Sequence, residues 1–240
     1  MPFANPFSAG IRAARVNLIP GLLVQVLMVA LVLVYYSFTP ARTWFQSLAF
    51  AKARWGYGFS FSSAVIAGAI LPTLLKWITT QRSRFTRADL SLLGFVCLFW
   101  GVDGMVIDGF YRLQGLIFGV QPDFAVVLKK VLVDQFIYNP LFAAPYTVAC
   151  FEFRNRGYDW RQIPSFFTGD FYRRQVVPAL CATWVVWIPV TGAIYALPGL
   201  LQIPLFALAL TFWSMLVTYI TSKEPPPEPL ASSIVRVVPD

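Results

Sequence analysis

Long apolar stretches follow one another from residue 18 to residue 222 and are separated by short basic connections. About 20 apolar residues are needed for a helix to cross the hydrocarbon of a bilayer. Backbone groups in lipid must be hydrogen-bonded within the protein, which favours helices for such stretches. Charged residues make up 12% of the 240-residue chain, against about 25% in a typical soluble domain. The pattern predicts an all-α, polytopic transmembrane helical bundle.

The apolar stretches predict about six spans, because Pro198 and Gly199 divide the last and longest stretch into two. A short basic segment, residues 1–17, precedes the bundle, which occupies residues 18–222. A Pro-rich tail, residues 223–240, is expected to be disordered. The predicted spans lie near residues 18–38, 57–78, 90–110, 124–153, 177–197 and 201–221.

The net charge of +8 comes from basic residues in the connections between the apolar stretches. The connection after the first span, for example, carries Arg42, Lys52 and Arg54. Nucleic acid is therefore not an expected partner, because this placement is typical of membrane proteins. In the six-span arrangement, most of the 19 Lys and Arg residues fall on the side of the two termini. The positive-inside rule then predicts that both termini face the cytoplasm, or the matrix of an organelle.

Ionisable residues inside two predicted spans are the feature that most needs an explanation. Residues 126–140 read VVLKKVLVDQFIYNP, and Lys130 and Asp134 in this stretch are spaced to share one helix face and to pair. Asp108 and Arg112 have the same spacing in the preceding span. A charged side chain at the centre of a bilayer costs about 2.5–3.5 kcal/mol on insertion scales, so these residues require partners, water or an interface.

Two explanations are open for these residues. In the structural one, Lys129 and Lys130 extend to the membrane surface, and Asp134 and Arg112 form a pair between helices. Asp103 lies near the middle of its span with no partner within one turn, and a backbone hydrogen bond would satisfy it. In the functional explanation, polar side chains line an aqueous path. The residues predicted for this path are Asp103, Asp108, Arg112, Lys130, Asp134 and Gln135.

Two further residues next to prolines are candidates for the same path. Asn139 precedes Pro140, which is expected to bend the fourth span. Trp187 lies near the middle of the fifth span, shortly before Pro189, although a tryptophan there is more often a packing residue. A proline inside a helix leaves one backbone carbonyl without its hydrogen-bond donor. At membrane depth such a carbonyl is tolerated only where it lines a cavity or accepts a hydrogen bond from a neighbouring group.

Small residues repeat every fourth position in the second predicted span. Ser60, Ala64 and Gly68 form a narrow stripe on one face of that helix. Such a stripe either lines a pore or allows a neighbouring helix to approach closely, and we favour the close contact.

The order of the polar residues resembles the Mpv17/PMP22 family of small integral membrane proteins. Lys129-Lys130, then Asp134-Gln135 and then Pro140 resemble the family's lysine, Asp-Gln and proline pattern. The resemblance covers about residues 55–222. Its weaker matches are Gly101, Phe110-Tyr111-Arg112, Trp187, Pro189, Pro198, Trp213 and Tyr219.

This resemblance implies a channel or a weakly selective transporter for small solutes. The family is associated with mitochondrial inner and peroxisomal membranes, so those membranes are expected if the protein is eukaryotic. A multi-pass protein of the bacterial cytoplasmic membrane is expected otherwise. The implied partners are membrane lipids and a small-molecule or ion solute, and a homo-oligomer is a further option.

Enzymatic functions are disfavoured by what the sequence lacks. The chain has no histidine, no P-loop, no Gly-x-Ser-x-Gly motif and no pair of closely spaced cysteines. We therefore expect no catalytic residues, no metal site and no cofactor. The main alternative to transport is a non-conducting scaffold or lipid-organising protein.

Overall fold

The computed structural model describes residue 15, residues 18–79 and residues 86–223, and in the last helix it describes side chains up to residue 215. The described chain contains seven long helices. The described chain is all-α, as predicted. The predicted segments 1–17 and 223–240 lie outside the described residues except at Arg15 and Lys223. The helices are α1 (Leu18–Ser37), α2 (Thr39–Trp55), α3 (Tyr57–Thr79), α4 (Arg87–Phe118), α5 (residues 124–155), α6 (Gly169–Tyr195) and α7 (Gly199–Lys223). Short helical turns, Trp160–Gln162 and Ile163–Phe166, lie between α5 and α6.

Three of these helices, α3, α4 and α6, are long and apolar enough to cross a membrane. The pair α1 and α2, bent by 107°, can count as a fourth span. Among the described side chains α7 forms a shorter apolar helix, Gly199–Met215. The helix α5 is not a candidate span by these criteria, because its polar residues lower its hydropathy. The described chain is therefore a candidate membrane protein with three or four spans by length and hydropathy.

Helix α2 occupies the region between the first two predicted spans, where only a basic connection was expected. It begins at Thr39, with a proline in its first turn, and it ends before Gly56, whose φ of 53° suits glycine. At the bend, the Arg42 guanidinium donates hydrogen bonds to the carbonyls of Tyr35, at 2.8 Å, and Tyr36. These bonds cap the free carbonyls at the end of α1 and stabilise the bend.

Helix α7 lies at the centre of the bundle, where it contacts α1, α2, α3, α4 and α6. Its neighbours α1 and α6 approach each other closely at Gly21, where the absence of a side chain leaves room for Val186. A Cβ at Gly21 would lie 2.6 Å from Val186 Cγ2. The predicted sixth span thus supplies more buried core residues than any other described helix. Buried core residues include Val24, Met28, Val186, Val190, Ile194, Leu201, Leu205 and Leu210.

The stripe of small residues on α3 packs against α4. A Cβ at Gly104 of α4 would lie 2.5 Å from Ala64 Cβ and 2.7 Å from the Ser60 carbonyl oxygen. At the other end of the stripe, a Cβ at Gly68 would lie 2.6 Å from ring atoms of Trp100. The close helix contact favoured from the sequence is therefore confirmed.

Four carbonyls freed by prolines accept hydrogen bonds from side chains of other helices. Because proline lacks an N–H, the carbonyl four residues earlier in an α-helix, or five residues earlier in a π-helical turn, loses its donor. Pro189 frees the Val185 carbonyl, which accepts a hydrogen bond from Gln25 Nε2 at 2.7 Å. Prolines 72, 140 and 145 follow π-helical turns or lie within them. Their freed carbonyls accept bonds as follows: Ala67 from Ser214 Oγ at 2.8 Å, Gln135 from Trp184 Nε1 at 2.9 Å and Pro140 from the Tyr172 hydroxyl at 3.0 Å.

Candidate functional site

Buried charges of the described chain fall into two groups with different bonding. The first group, the ion-pair cluster, consists of Lys52, Ser60, Asp108 and Arg112. The buried Lys52 ammonium donates to Asp108 Oδ2, to Ser60 Oγ at 2.7 Å and to the Gly56 carbonyl at 2.9 Å. A lysine ammonium has three donors, so all of them are used.

The Asp108 carboxylate in this cluster is also saturated. Ser60 Oγ donates to Asp108 Oδ2 at 2.8 Å, and Arg112 Nε donates to Oδ1 at 3.1 Å. The Arg112 guanidinium is half-exposed and lies 4.8 Å above the Tyr57 ring. The predicted pairing of Asp108 with Arg112 is confirmed, and the alternative pairing of Arg112 with Asp134 is wrong. The cluster joins α2, α3 and α4, and a role for its residues in a polar path stays a prediction.

Lys52 is the member of this cluster that sequence reasoning missed. It had been assigned to a basic connection, whereas its side chain is 3% exposed and its acceptor Asp108 lies 56 residues away. The Thr39-Pro40 start and the glycine at 56 are helix boundary signals that could have revealed α2. They could not have shown which acid the lysine meets.

The second group, the polar seam, lies where α4, α5 and α6 meet. We define it as Asp103, Gln114, Lys130, Asp134, Gln135 and Tyr195. The Tyr195 hydroxyl donates to Asp134 Oδ2 at 2.6 Å and accepts from Gln114 Nε2 at 2.5 Å. Gln135 Nε2 donates to Asp134 Oδ1 at 2.8 Å. Neutral donors thus engage both oxygens of the Asp134 carboxylate.

Of the other two predicted residues, Asn139 adjoins the polar seam and Trp187 does not. Asn139 Nδ2 lies 3.5 Å from Gln135 Oε1, and Gln135 Nε2 also donates to Thr191 Oγ1 of α6 at 3.1 Å. The Trp187 ring is half-buried, and its centroid lies 6.0 Å from that of Phe206 in α7. This contact is consistent with a packing role for Trp187.

Lys130 is buried within the polar seam, with no anionic partner among the described residues. Its side chain is 2% exposed, and its Nζ lies 5.7 Å from the centroid of the Tyr195 ring. Among the residues that the structure describes, Lys130 forms no hydrogen bond or ion pair, so the predicted pairing with Asp134 is wrong. The Lys130 ammonium lies over the Tyr195 ring instead, and the Asp134 oxygens accept from the Tyr195 hydroxyl and the Gln135 amide. Lys129 is exposed, so extension to the membrane surface can apply to it alone.

Three more polar groups along the seam have unused bonding capacity. Asp103 is 7% exposed and forms no hydrogen bond or ion pair with any residue in the described ranges. It lies within electrostatic range of Tyr138 and Tyr146 on α5. The Tyr138 hydroxyl and Gln114 Oε1 are buried and have no hydrogen-bond partner in the part of the chain that the structure describes. The backbone bond suggested for Asp103 is therefore not present in the described structure.

No family model, curated protein or solved structure matches this chain. The function must therefore be argued from the geometry of the two groups. Within the described ranges, no three His, Cys, Asp or Glu side chains are grouped to hold a metal ion. The three cysteines, Cys97, Cys150 and Cys181, are half-buried free thiols.

The two groups are suited to different tasks. The ion-pair cluster has its donors and acceptors bonded to one another, so it stabilises the contact between three helices. The polar seam and the adjoining Tyr138, in contrast, keep one ammonium, one carboxylate, one hydroxyl and one amide oxygen unpaired among the described residues of a low-dielectric bundle. Unpaired groups of this kind can replace the water molecules around a polar solute.

Proposed function

We propose that the protein is a channel or weakly selective transporter for small solutes, and that the polar seam between α4, α5 and α6 is its pathway. The observation that carries this proposal is Asp103, a buried carboxylate in a spanning helix without a bonding partner among the described residues. Intramembrane acids are costly and typically mark solute or ion pathways. The unpaired Lys130 ammonium supports the same pathway from the neighbouring helix α5.

We further propose a six-span arrangement of an Mpv17/PMP22-like protein, with α5 and α7 completing the bundle. The central position of α7 supports this arrangement, because α7 packs against α3, α4 and α6, the three candidate membrane spans. The burial of the Asp134-Gln135 pair is consistent with the family resemblance. The proposed location is the bacterial cytoplasmic membrane, or the mitochondrial inner or peroxisomal membrane in a eukaryote. We propose no enzymatic activity.

Conductance of the purified protein in planar bilayers tests the proposal. We expect wild-type protein to conduct, and we expect Asp103→Asn and Asp134→Asn each to change the conductance or the ion selectivity several-fold, because each removes a charge from the pathway. The control is Asp123→Asn, which removes the same charge from an exposed position between α4 and α5. It should behave as wild type.

Unchanged conductance and selectivity in both seam variants would remove these acids from the pathway. Absence of conductance in the wild-type protein would favour the second candidate function, a non-conducting scaffold or lipid-organising protein. The ion-pair cluster favours that second function, because Asp108 is an intramembrane acid whose bonding is fully satisfied by neighbouring helices.

A further inference from the structure

Lys130 lies in the polar seam near the first end of α5. It is the seventh residue of α5, which begins at Phe124, so it lies about 9 Å along the helix from that end. The side chain is nevertheless 2% exposed and has no acceptor among the described residues. A buried ammonium with no counter-ion is costly, and an anion that binds there would offset the cost.

Gln114 supplies a group of the opposite kind beside the same tyrosine. Its Nε2 donates to the Tyr195 hydroxyl at 2.5 Å, while Lys130 Nζ lies 5.7 Å from the centroid of the same ring. Gln114 Oε1 is buried and accepts no hydrogen bond within the described part of the chain. An unpaired cationic donor and an unpaired neutral acceptor therefore border one aromatic side chain.

We propose that Lys130 and Gln114 form a binding site for a small carboxylate that also carries a hydrogen-bond donor, such as a hydroxy acid. The carboxylate pairs with the Lys130 ammonium, and the donor of the solute binds Gln114 Oε1. This inference rests on the proposed function and names the class of solute for its pathway.

The neighbouring charges are compatible with this assignment. The nearest carboxylate along α5, Asp134, accepts bonds from Tyr195 and Gln135 and forms no ion pair with Lys130 in the described structure. Asp103 lies 11 residues before Gln114 on α4, about 16 Å away along the helix axis. An anion at Lys130 is therefore remote from the unpaired acid of the seam.

Calorimetric titration of the purified full chain in detergent, with glycolate and acetate as probes, tests the site. We expect glycolate to bind more tightly than acetate, because only glycolate has a hydroxyl for Gln114. Lys130→Met should weaken both at least about tenfold, since it removes a charge-assisted bond. Gln114→Leu should abolish the preference for glycolate and leave acetate binding within about twofold of wild type.

Two controls keep the result interpretable. Lys129→Met removes the same charge from the adjacent exposed position and should leave both affinities unchanged. Lys130→Arg keeps the charge and should retain binding, which separates loss of charge from loss of folding. The site is overturned if wild-type protein binds neither probe, or if Lys130→Met binds both as wild type does. Conductance without binding would overturn this inference alone, whereas binding without conductance would overturn the proposed function and retain the site.

Discussion

Among individual residues, the clearest contrast is between the two buried lysines, Lys52 and Lys130. Lys52 is 3% exposed and uses all three of its donors, whereas Lys130 is equally buried and uses none within the described structure. A buried charge stabilises a fold only when its partners satisfy it, and it destabilises the fold when they do not. We therefore assign a structural role to Lys52 and a binding role to Lys130.

Lys52→Met should destabilise the protein by about 1–3 kcal/mol, because the buried Asp108 carboxylate loses its amine partner and keeps only Ser60 and the half-exposed Arg112. The double variant Lys52→Met with Asp108→Leu should lose less than the sum of the two single variants, since it removes the buried carboxylate together with its buried amine partner. The measurement is the free energy of unfolding in mixed micelles. Arg54→Met, an exposed change on the same helix, is the control. A cost below about 1 kcal/mol for Lys52→Met would contradict the structural role.

The sequence was informative about which polar residues matter and less informative about their partners. Asp134, Gln135 and Asp103 stand out because they interrupt apolar stretches, and all three are buried. Tyr195 lies 61 residues from Asp134, its hydrogen-bond acceptor, and Gln114 lies 81 residues from Tyr195. Such pairings depend on how helices pack side by side, which local spacing does not determine.

Within the helices, prolines are tolerated because side chains from other helices replace the missing donors. Pro189 is the simplest case, since the Val185 carbonyl that it frees accepts a bond from Gln25 of α1. The sequence predicted that such a carbonyl would need a neighbour or a cavity. It could not predict that α1 would provide the neighbour, because that depends on the close contact of Gly21 with Val186.

Gln25→Leu should cost about 1 kcal/mol in a wild-type background, because the Val185 carbonyl loses its donor. In a Pro189→Ala background the same change should cost close to nothing, since the alanine N–H can donate to that carbonyl instead. The readout is again the free energy of unfolding in micelles. An equal cost in both backgrounds would show that Gln25 does not compensate for the proline.

Helix boundaries were predicted less well than helix centres. The third predicted span, residues 90–110, lies within α4, which extends over Arg87–Phe118. The helix begins earlier because a capping box between Thr86 and Asp89 satisfies its first N–H groups. A span defined by hydropathy ends where charges appear, whereas a helix ends where its backbone bonds end.

The number of spans in the whole molecule depends on the bent pair α1–α2, on α7 and on α5, and α5 is excluded by its hydropathy rather than by its length. It is as long as α4, but it carries Lys130, Asp134 and Gln135 of the polar seam and also the adjoining Asn139. In the six-span arrangement these residues face α4 and α6 rather than lipid. The two ends of α5 then lie on opposite sides of the membrane.

Labelling of single cysteines with a membrane-impermeant maleimide tests this arrangement in a cysteine-free background. We expect Asp123→Cys, before α5, and Asp159→Cys, after it, to be labelled from opposite sides. Thr86→Cys is the reference, because α4 places it opposite Asp123 whether or not α5 crosses. Labelling of residues 123 and 159 from the same side would reduce the number of spans.

The central position of α7 has a consequence for how the protein is made. During translation six long helices emerge before α7, which contributes seven of the buried core residues and contacts five of those helices. The intermediate must survive with Val24, Met28, Val186 and Val190 facing lipid or one another. Premature termination before residue 199 would therefore leave six helices without the helix that packs against five of them. We expect quality-control proteases to degrade such a truncated chain.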